Sequence, residues 1–420
     1  MAFLDAFSGE PRGFWGRGER WVAWGGELIR IELPPGGAVS RFDVVRREAR
    51  SALRRLERSE PSPWKSPRFF GGFSFIEAGT PKREWNGFAP ACFILPRVTL
   101  SSRDGEVRHH AAEPVAGGPP ASVADLADER VGEVGRPGGG DTGPGTGDRS
   151  RWRDAIRRTL SAIEDGRVQK VVLARIQDAR FDHPVDPLAV LRSLRADNAR
   201  AHVFLFEPHP GRVFVGAAPE ILAQLRGGQF EATAVAGSMP RAADPGRDDE
   251  LARRLLGSEK NRTEHHLTVD EMVEILQPRL IGMEVDPEPR VLRLAGIQHL
   301  ETVIRGGAGP GEDILSLVEA VHPTPAVCGR RREEALRLLR GEESFDRGWY
   351  SGPVGWFDGE GEGDFVPALR SAVGAGREWR LFAGAGIVSG SDPDAEWDEI
   401  ELKLEPALRA LRAGAGAPLS

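Results

Sequence analysis

From Val168 to Arg175 the chain reads Val-Gln-Lys-Val-Val-Leu-Ala-Arg, and alternation puts Lys170 on the same face as Val168, Val172 and Ala174. That face is apolar and should be buried in a strand. Further strands are predicted at Arg20 to Trp24, Phe70 to Ile76, Val203 to Phe206, Arg212 to Gly216, Phe365 to Val373 and Trp379 to Ala383. A helical rhythm replaces the alternation from about Val44 to Leu56, from Asp248 to Leu256, from Glu259 to Leu276 before Pro278, and from Pro393 to Leu411. One more helix is expected after Ser150 as N-cap, with Trp152, Ile156, Leu160 and Ile163 on one stripe and Gly166 as its stop. Strands and helices mix without regular βαβ alternation, which predicts an α+β fold with antiparallel sheets.

Three stretches follow from this pattern. Residues 1–134 form a β-rich N-terminal part, residues 135–148 a flexible Gly/Pro-rich loop, and residues 149–415 the region with most of the candidate chemistry. Gly138, Gly140 and Gly143 match the spacing of a dinucleotide fingerprint, but no apolar strand precedes them, as that motif requires.

Composition narrows the function classes. Apolar residues at 40% and charged residues at 28% of 420 describe a folded globular protein. A net charge of -7, with no Lys/Arg block clear of acidic neighbours, argues against a nucleic-acid partner. Two cysteines, Cys92 and Cys328, are too few for a disulfide framework or a thiolate zinc site. The N-terminus does not read as a signal peptide, and no run is apolar enough to span a bilayer, so a soluble cytoplasmic protein without a membrane partner is expected.

Candidate chemistry begins with lysine, because only Lys65, Lys82, Lys170, Lys260 and Lys403 interrupt an otherwise all-Arg usage of basic residues. A Lys held inside an apolar face loses stabilisation of its charge and is expected to become a neutral amine near pH 7, which Arg cannot do. A structural Lys that snorkels or pairs with a carboxylate is the alternative. Glu396, Glu399 and Lys403 share one face of the C-terminal helix, while Asp398 and Glu401 point elsewhere. That face is either solvated or functional, and the glycines of Ala383 to Ile387 just before it leave backbone N–H groups open to an anion. Glu264 shares a helix face with Thr268, Glu271 and Ile275, whereas the adjacent His265 and His266 diverge and cannot chelate one zinc. Carboxylates from distant helices suit Mg²⁺. Glu220 lies among small and apolar residues that would raise its pKa and favour a protonated acid; placement by a helix dipole after Pro219 is the other reading. Tyr350 is the only Tyr.

Lys170 to Arg175, Gly216 to Leu222, Ala236 to Ser238, Lys260 to His265, His299-Leu300, His322 to Val327, Tyr350 to Trp356, Ala368 to Ser371 and Gly384 to Lys403 together resemble the chorismate-utilising enzymes, isochorismate synthases above all. The resemblance is dense over residues 150–410 and loose before them. It implies a large α+β fold of two antiparallel sheets packed face to face with helices outside. It also implies Lys170 as the base that activates water at C2 of chorismate and Glu220 as the acid for the departing C4 hydroxyl. Glu264 and Glu399 would bind Mg²⁺ directly and Glu396 through water. Gly237, Ser238, His299, Thr324, Ala326, Tyr350, Arg370, Gly384, Gly386 and Lys403 match substrate-binding positions. Lys170 separates the chain from anthranilate synthases, so water is the expected nucleophile and no glutamine amidotransferase subunit is expected; a monomer is expected as well. A salicylate synthase, or a catalytically silent chorismate-binding protein, are the alternatives. The chain departs from the family's common pattern at Asn261, Ser238 and Cys328, and Cys328 is expected to narrow the pocket slightly.

Overall fold

The computed structural model describes residues 1–37, 39–56, 67–77, 83–103, 106–111 and 146–416. Its strands form two large sheets in which every pairing is antiparallel. The first sheet runs Gly329–Arg330, Lys170–Arg180, Glu378–Ile387, Ser371–Ala375, Arg212–Ala218, His202–His209, Arg12–Arg17, Arg20–Gly25, Val98–Arg103 and Glu106–Ala111. The second runs Leu280–Val285, Ile297–Ala308, Gln229–Pro240, Ala223–Arg226, Gly363–Pro367, Pro353–Asp358, Arg68–Phe73, Ala91–Leu95 and Ile29–Leu33, with Arg290–Arg293 also paired to Ile297–Ala308. Strands from before residue 112 complete both sheets, so the N-terminal part does not form a sheet of its own.

The sheets face each other across an aromatic layer that includes Trp15, Trp24, Phe204 and Phe214 from one and Phe70 and Trp356 from the other. Burying rings of this size supplies much of the apolar driving force. Outside the first sheet pack Thr146–Glu164, Pro187–Asp197, Arg332–Glu342 and Pro393–Gly414; outside the second pack Arg41–Leu53, Glu259–Leu276 and Ile314–Val321. The expected α+β architecture, with two packed antiparallel sheets and helices outside, is the one observed. No helix among the described residues is long and apolar enough to cross a membrane.

Local chemistry sets the helix ends that matter for the site. Ser258 caps the Glu264 helix by accepting from Asn261 N, and Asp392 caps the C-terminal helix by accepting from Asp394 N and Ala395 N, with Pro393 at the first helical position.

Four expectations need correction. Phe365 to Val373 is not one strand: Gly363–Pro367 belongs to the second sheet and Ser371–Ala375 to the first. The chain crosses between sheets at Ala368-Leu369-Arg370, where Arg370 takes a φ of 49°, a left-handed conformation that alternation cannot reveal. Ser150 is not an N-cap, because the helix begins at Thr146. Of the expected loop 135–148, residues 135–145 lie outside the described residues and 146–148 belong to that helix. No helix follows Pro219, so Glu220 sits in the short link between Arg212–Ala218 and Ala223–Arg226 and owes nothing to a helix dipole.

Candidate active site

The Lys170 strand opens at the edge of the first sheet, where Gly329–Arg330 pairs only with Lys170 and Val171. Lys170 is fully buried, as alternation predicts. Its Nζ donates to Thr268 Oγ1 at 3.0 Å and lies 3.2 Å from Glu264 Oε1. The lysine is sealed from solvent, as the apolar face predicts, and it faces a carboxylate, as the structural alternative predicts. Gly386, on the neighbouring strand, makes room for the meeting. A Cβ there would come within 2.1 Å of Glu264 Oε1 and 3.1 Å of Lys170 Cε.

A cavity opens beside this pair. Of the residues singled out from the sequence, Glu220, Gly237, Ser238, Glu264, His299, Ala326, Tyr350, Arg370, Gly384, Gly386 and Lys403 line it. Lys170, Thr324, Glu396 and Glu399 do not. Thr324 is fully buried behind the wall, and its carbonyl accepts from Val327 N and Cys328 N, forming the turn that presents Ala326. Cys328 points into the core between the first sheet and its helices, and burial pushes its thiol up to about 12. It does not narrow the cavity.

Glu220 is enclosed, and its Oε1 has no hydrogen-bond partner among the described residues. Burial pushes its carboxyl up to about 8, against the nearby Lys170 and helped by Glu301, which favours its protonated form. On the opposite side of the crossing, Arg370 Nη2 donates to His299 Nε2 at 2.6 Å. An arginine can only donate, so the ring proton is on Nδ1, which faces Gly237 O at 3.3 Å and Ser238 Oγ at 3.1 Å. Burial, with Arg370 and Lys403 adding to it, holds His299 neutral, far below its ordinary range. Arg370 is itself buried and has no carboxylate within 4 Å among the described residues; burial lowers it to about 10. A desolvated cation of this kind is a ready partner for an anion.

Tyr350 stacks on Phe382 with centroids 5.0 Å apart, and its hydroxyl lies where a Cβ on Gly384 would reach to 3.0 Å. Past Phe382 the strand Glu378–Ile387 has a partner only on the Lys170 side. Lys403 Nζ donates to Gly384 O on the free edge at 2.8 Å, so that edge of the glycine run does face the site.

Three carboxylates stand at this end. Glu264 faces Lys170, Glu399 faces Lys403 at 2.6 Å, and Glu396 accepts from Lys260. Burial, then Glu399, pushes Glu396 up to about 7 against its lysine, whereas Lys403 overcomes burial and holds Glu399 below the usual carboxylate range. Among the described residues no three His, Cys, Asp or Glu side chains already converge as a metal cluster. The donors are nonetheless all carboxylate oxygens, each beside a lysine nitrogen. In kind, this set fits Mg²⁺.

Sequence reasoning missed four contributors. Thr268 was legible only as a neighbour of Glu264 on its helix, and Lys260 only as part of the family resemblance. Arg347 and Glu343 gave no local signal. The Arg347 guanidinium is buried over Phe75, donates to Val172 O at 2.7 Å and Val327 O at 2.8 Å, and forks onto both Glu343 oxygens. Glu343 Oε1 in turn accepts from Ala174 N at 2.9 Å. Where the strand partner of Lys170 ends, this ion pair completes the strand's edge. The two departures Asn261 and Ser238 bond to each other, Ser238 N donating to Asn261 Oδ1 at 3.1 Å, while Asn261 Nδ2 donates to Ser258 Oγ.

A cavity between two antiparallel sheets, lined by a buried carboxyl, a desolvated Arg and a glycine edge, with a buried amine and further carboxylates packed beside it, defines a class. The chain belongs to the chorismate binding enzymes, whose family profile matches residues 2–412. It is 38% identical over 364 residues to the salicylate biosynthesis isochorismate synthase of Pseudomonas aeruginosa, covering 84% of this chain and 75% of that protein. It is 33% identical over 359 residues to the isochorismate synthase MenF of Bacillus subtilis, covering 82% and 74%. The structure of MenF, the menaquinone-specific isochorismate synthase from Escherichia coli, superposes with a TM-score of 0.74 at 26% identity over 96% of this chain and 88% of that one.

Proposed function

We propose that this protein is a Mg²⁺-dependent cytoplasmic enzyme that isomerises chorismate to isochorismate. The observation that carries the reading is the burial of the Glu220 carboxyl in the cavity wall and of the Lys170 amine directly behind Glu264, which lines the same cavity. Lys170 takes a proton from water as the water oxygen bonds to C2. The ring double bond shifts, the C4–O bond breaks, and Glu220 delivers its proton so that the hydroxyl leaves as water. One water enters and one departs, so the product is an isomer. Acid and base in opposite protonation states are what concerted proton transfer near neutrality needs.

Arg370, Lys403 and the N–H edge of Gly384 and Gly386 hold the substrate's carboxylates, with Tyr350 and the Ser238–His299 pair fixing its orientation. Glu264, Glu399 and Glu396 would hold Mg²⁺, which would offset charge between a dianionic substrate and an acidic wall. No amidotransferase partner is needed when the nucleophile is water. Isochorismate serves menaquinone or siderophore synthesis, and neighbouring genes decide between them.

The test is chromatography of purified protein incubated with chorismate and Mg²⁺. Isochorismate should accumulate without pyruvate, and K170R and E220Q should each lower turnover by roughly 10²-fold or more while still binding chorismate. Pyruvate release would make the chain a salicylate synthase. Full activity in K170R would remove Lys170 as the base, and chorismate binding without any product would leave a silent binding protein.

A further inference from the structure

Lys260 is unlike the other two lysines at the carboxylate wall. Lys170 is fully buried and is also held by Thr268 Oγ1; Lys403 is also held by Gly384 O. For Lys260, at the start of the Glu264 helix, Glu396 is the sole side-chain acceptor among the described residues, and the lysine's side chain keeps 31% of its surface exposed. Glu396 itself is 1% exposed. The ammonium lies in the field of all three carboxylates, Glu396 first, then Glu264 and Glu399.

On this geometry, and resting on the Mg²⁺ reading above, we propose that Lys260 is a resident counter-cation of the carboxylate wall that a divalent ion must displace, so that its occupancy sets the metal affinity. A buried carboxylate left without a partner is costly, and Lys260 supplies that partner when no metal is bound. Because its stem reaches solvent, the ammonium can swing out when a metal arrives and regain its hydration, a route closed to Lys170. A site whose binding-competent form is only partly populated loses apparent affinity in proportion. The lysine therefore weakens magnesium binding and keeps the wall neutral between turnovers.

The experiment is calorimetric titration of substrate-free protein with MgCl₂ at mildly alkaline pH, wild type against K260M and K260Q. The variants should bind about tenfold more tightly or better. Unchanged or weaker binding in folded variants overturns the proposal. A second measurement needs no variant: acetylation of wild-type lysines, read by mass spectrometry, should show Lys260 severalfold more reactive at saturating magnesium. Reactivity that magnesium leaves unchanged also overturns it. If the wild type binds magnesium and K260M binds no tighter, only this inference fails. If neither binds magnesium and turnover persists in chelator, the metal reading fails with it. Uptake by K260M alone supports the proposal in its strongest form.

Discussion

Glu220 concentrates its effect in one proton. Its ordinary value of 4.5 is raised to about 8 in the fold, so between those limits the folded state keeps a proton that the unfolded chain has released. Stability from this group is complete at low pH and declines as pH rises through that window, in total by on the order of 5 kcal/mol. Comparing melting temperatures of wild type and E220Q from acid to mildly alkaline pH isolates the effect, because other groups cancel. The wild type should lose ground steadily, and parallel curves would mean that the carboxyl does not titrate there. Turnover should fall on the same alkaline side, as the acid form is lost. Glu220 and Lys170 were legible because each is a charged type in an apolar run, a conflict that burial alone makes informative. Arg370 was not legible that way. One Arg among many carries no contrast, and only the resemblance singled it out. Of the lysine partners of the three carboxylates, only Lys403 is paired by spacing, four residues after Glu399 on one helix; Lys170 and Lys260 reach Glu264 and Glu396 from separate segments that no spacing rule joins.

The edge of the Lys170 strand shows how an element can depend on side chains for its last hydrogen bonds. Removing one member of the buried Arg347–Glu343 pair leaves the other charge uncompensated, so R347M should cost about 3 to 5 kcal/mol of stability. The double variant R347M/E343L should recover much of that loss, since an apolar pair can replace a buried ion pair. Turnover should not recover, remaining about 10²-fold down, because Val172 O and Ala174 N lose the partners that fix the strand carrying Lys170 beside the Ala326 wall. Denaturation curves and kcat measured on the same preparations separate the two effects, and recovery of both together would assign the pair a purely structural role. Most strands and helices were readable from periodicity. The exception at Phe365 to Val373 arose because both halves are almost continuously apolar and buried, and the break lies in a backbone angle rather than in residue polarity.

At the scale of the molecule, the reacting groups belong to both sheets. Lys170, Gly384 and Gly386 come from one, Ser238 and His299 from the other, and Arg370 from the crossing between them. Antiparallel packing was legible from composition and alternation, but which strands are neighbours was not. Pairings such as Arg12–Arg17 with His202–His209 join segments far apart in sequence. The cavity exists only while the two layers keep their alignment, and the aromatic layer between them holds it. Heating with two readouts, near-ultraviolet dichroism for the packed rings and far-ultraviolet dichroism for the strands, should show activity falling with the ring signal and ahead of any separate loss of strand signal. Activity that outlasts the ring signal would contradict this.

The crossing at Ala368-Leu369-Arg370 then acquires a mechanical meaning. A ligand gripped by that guanidinium pulls on the seam itself, so occupancy should clamp the two halves of the sandwich and slow the breathing of amides along both flanking strands.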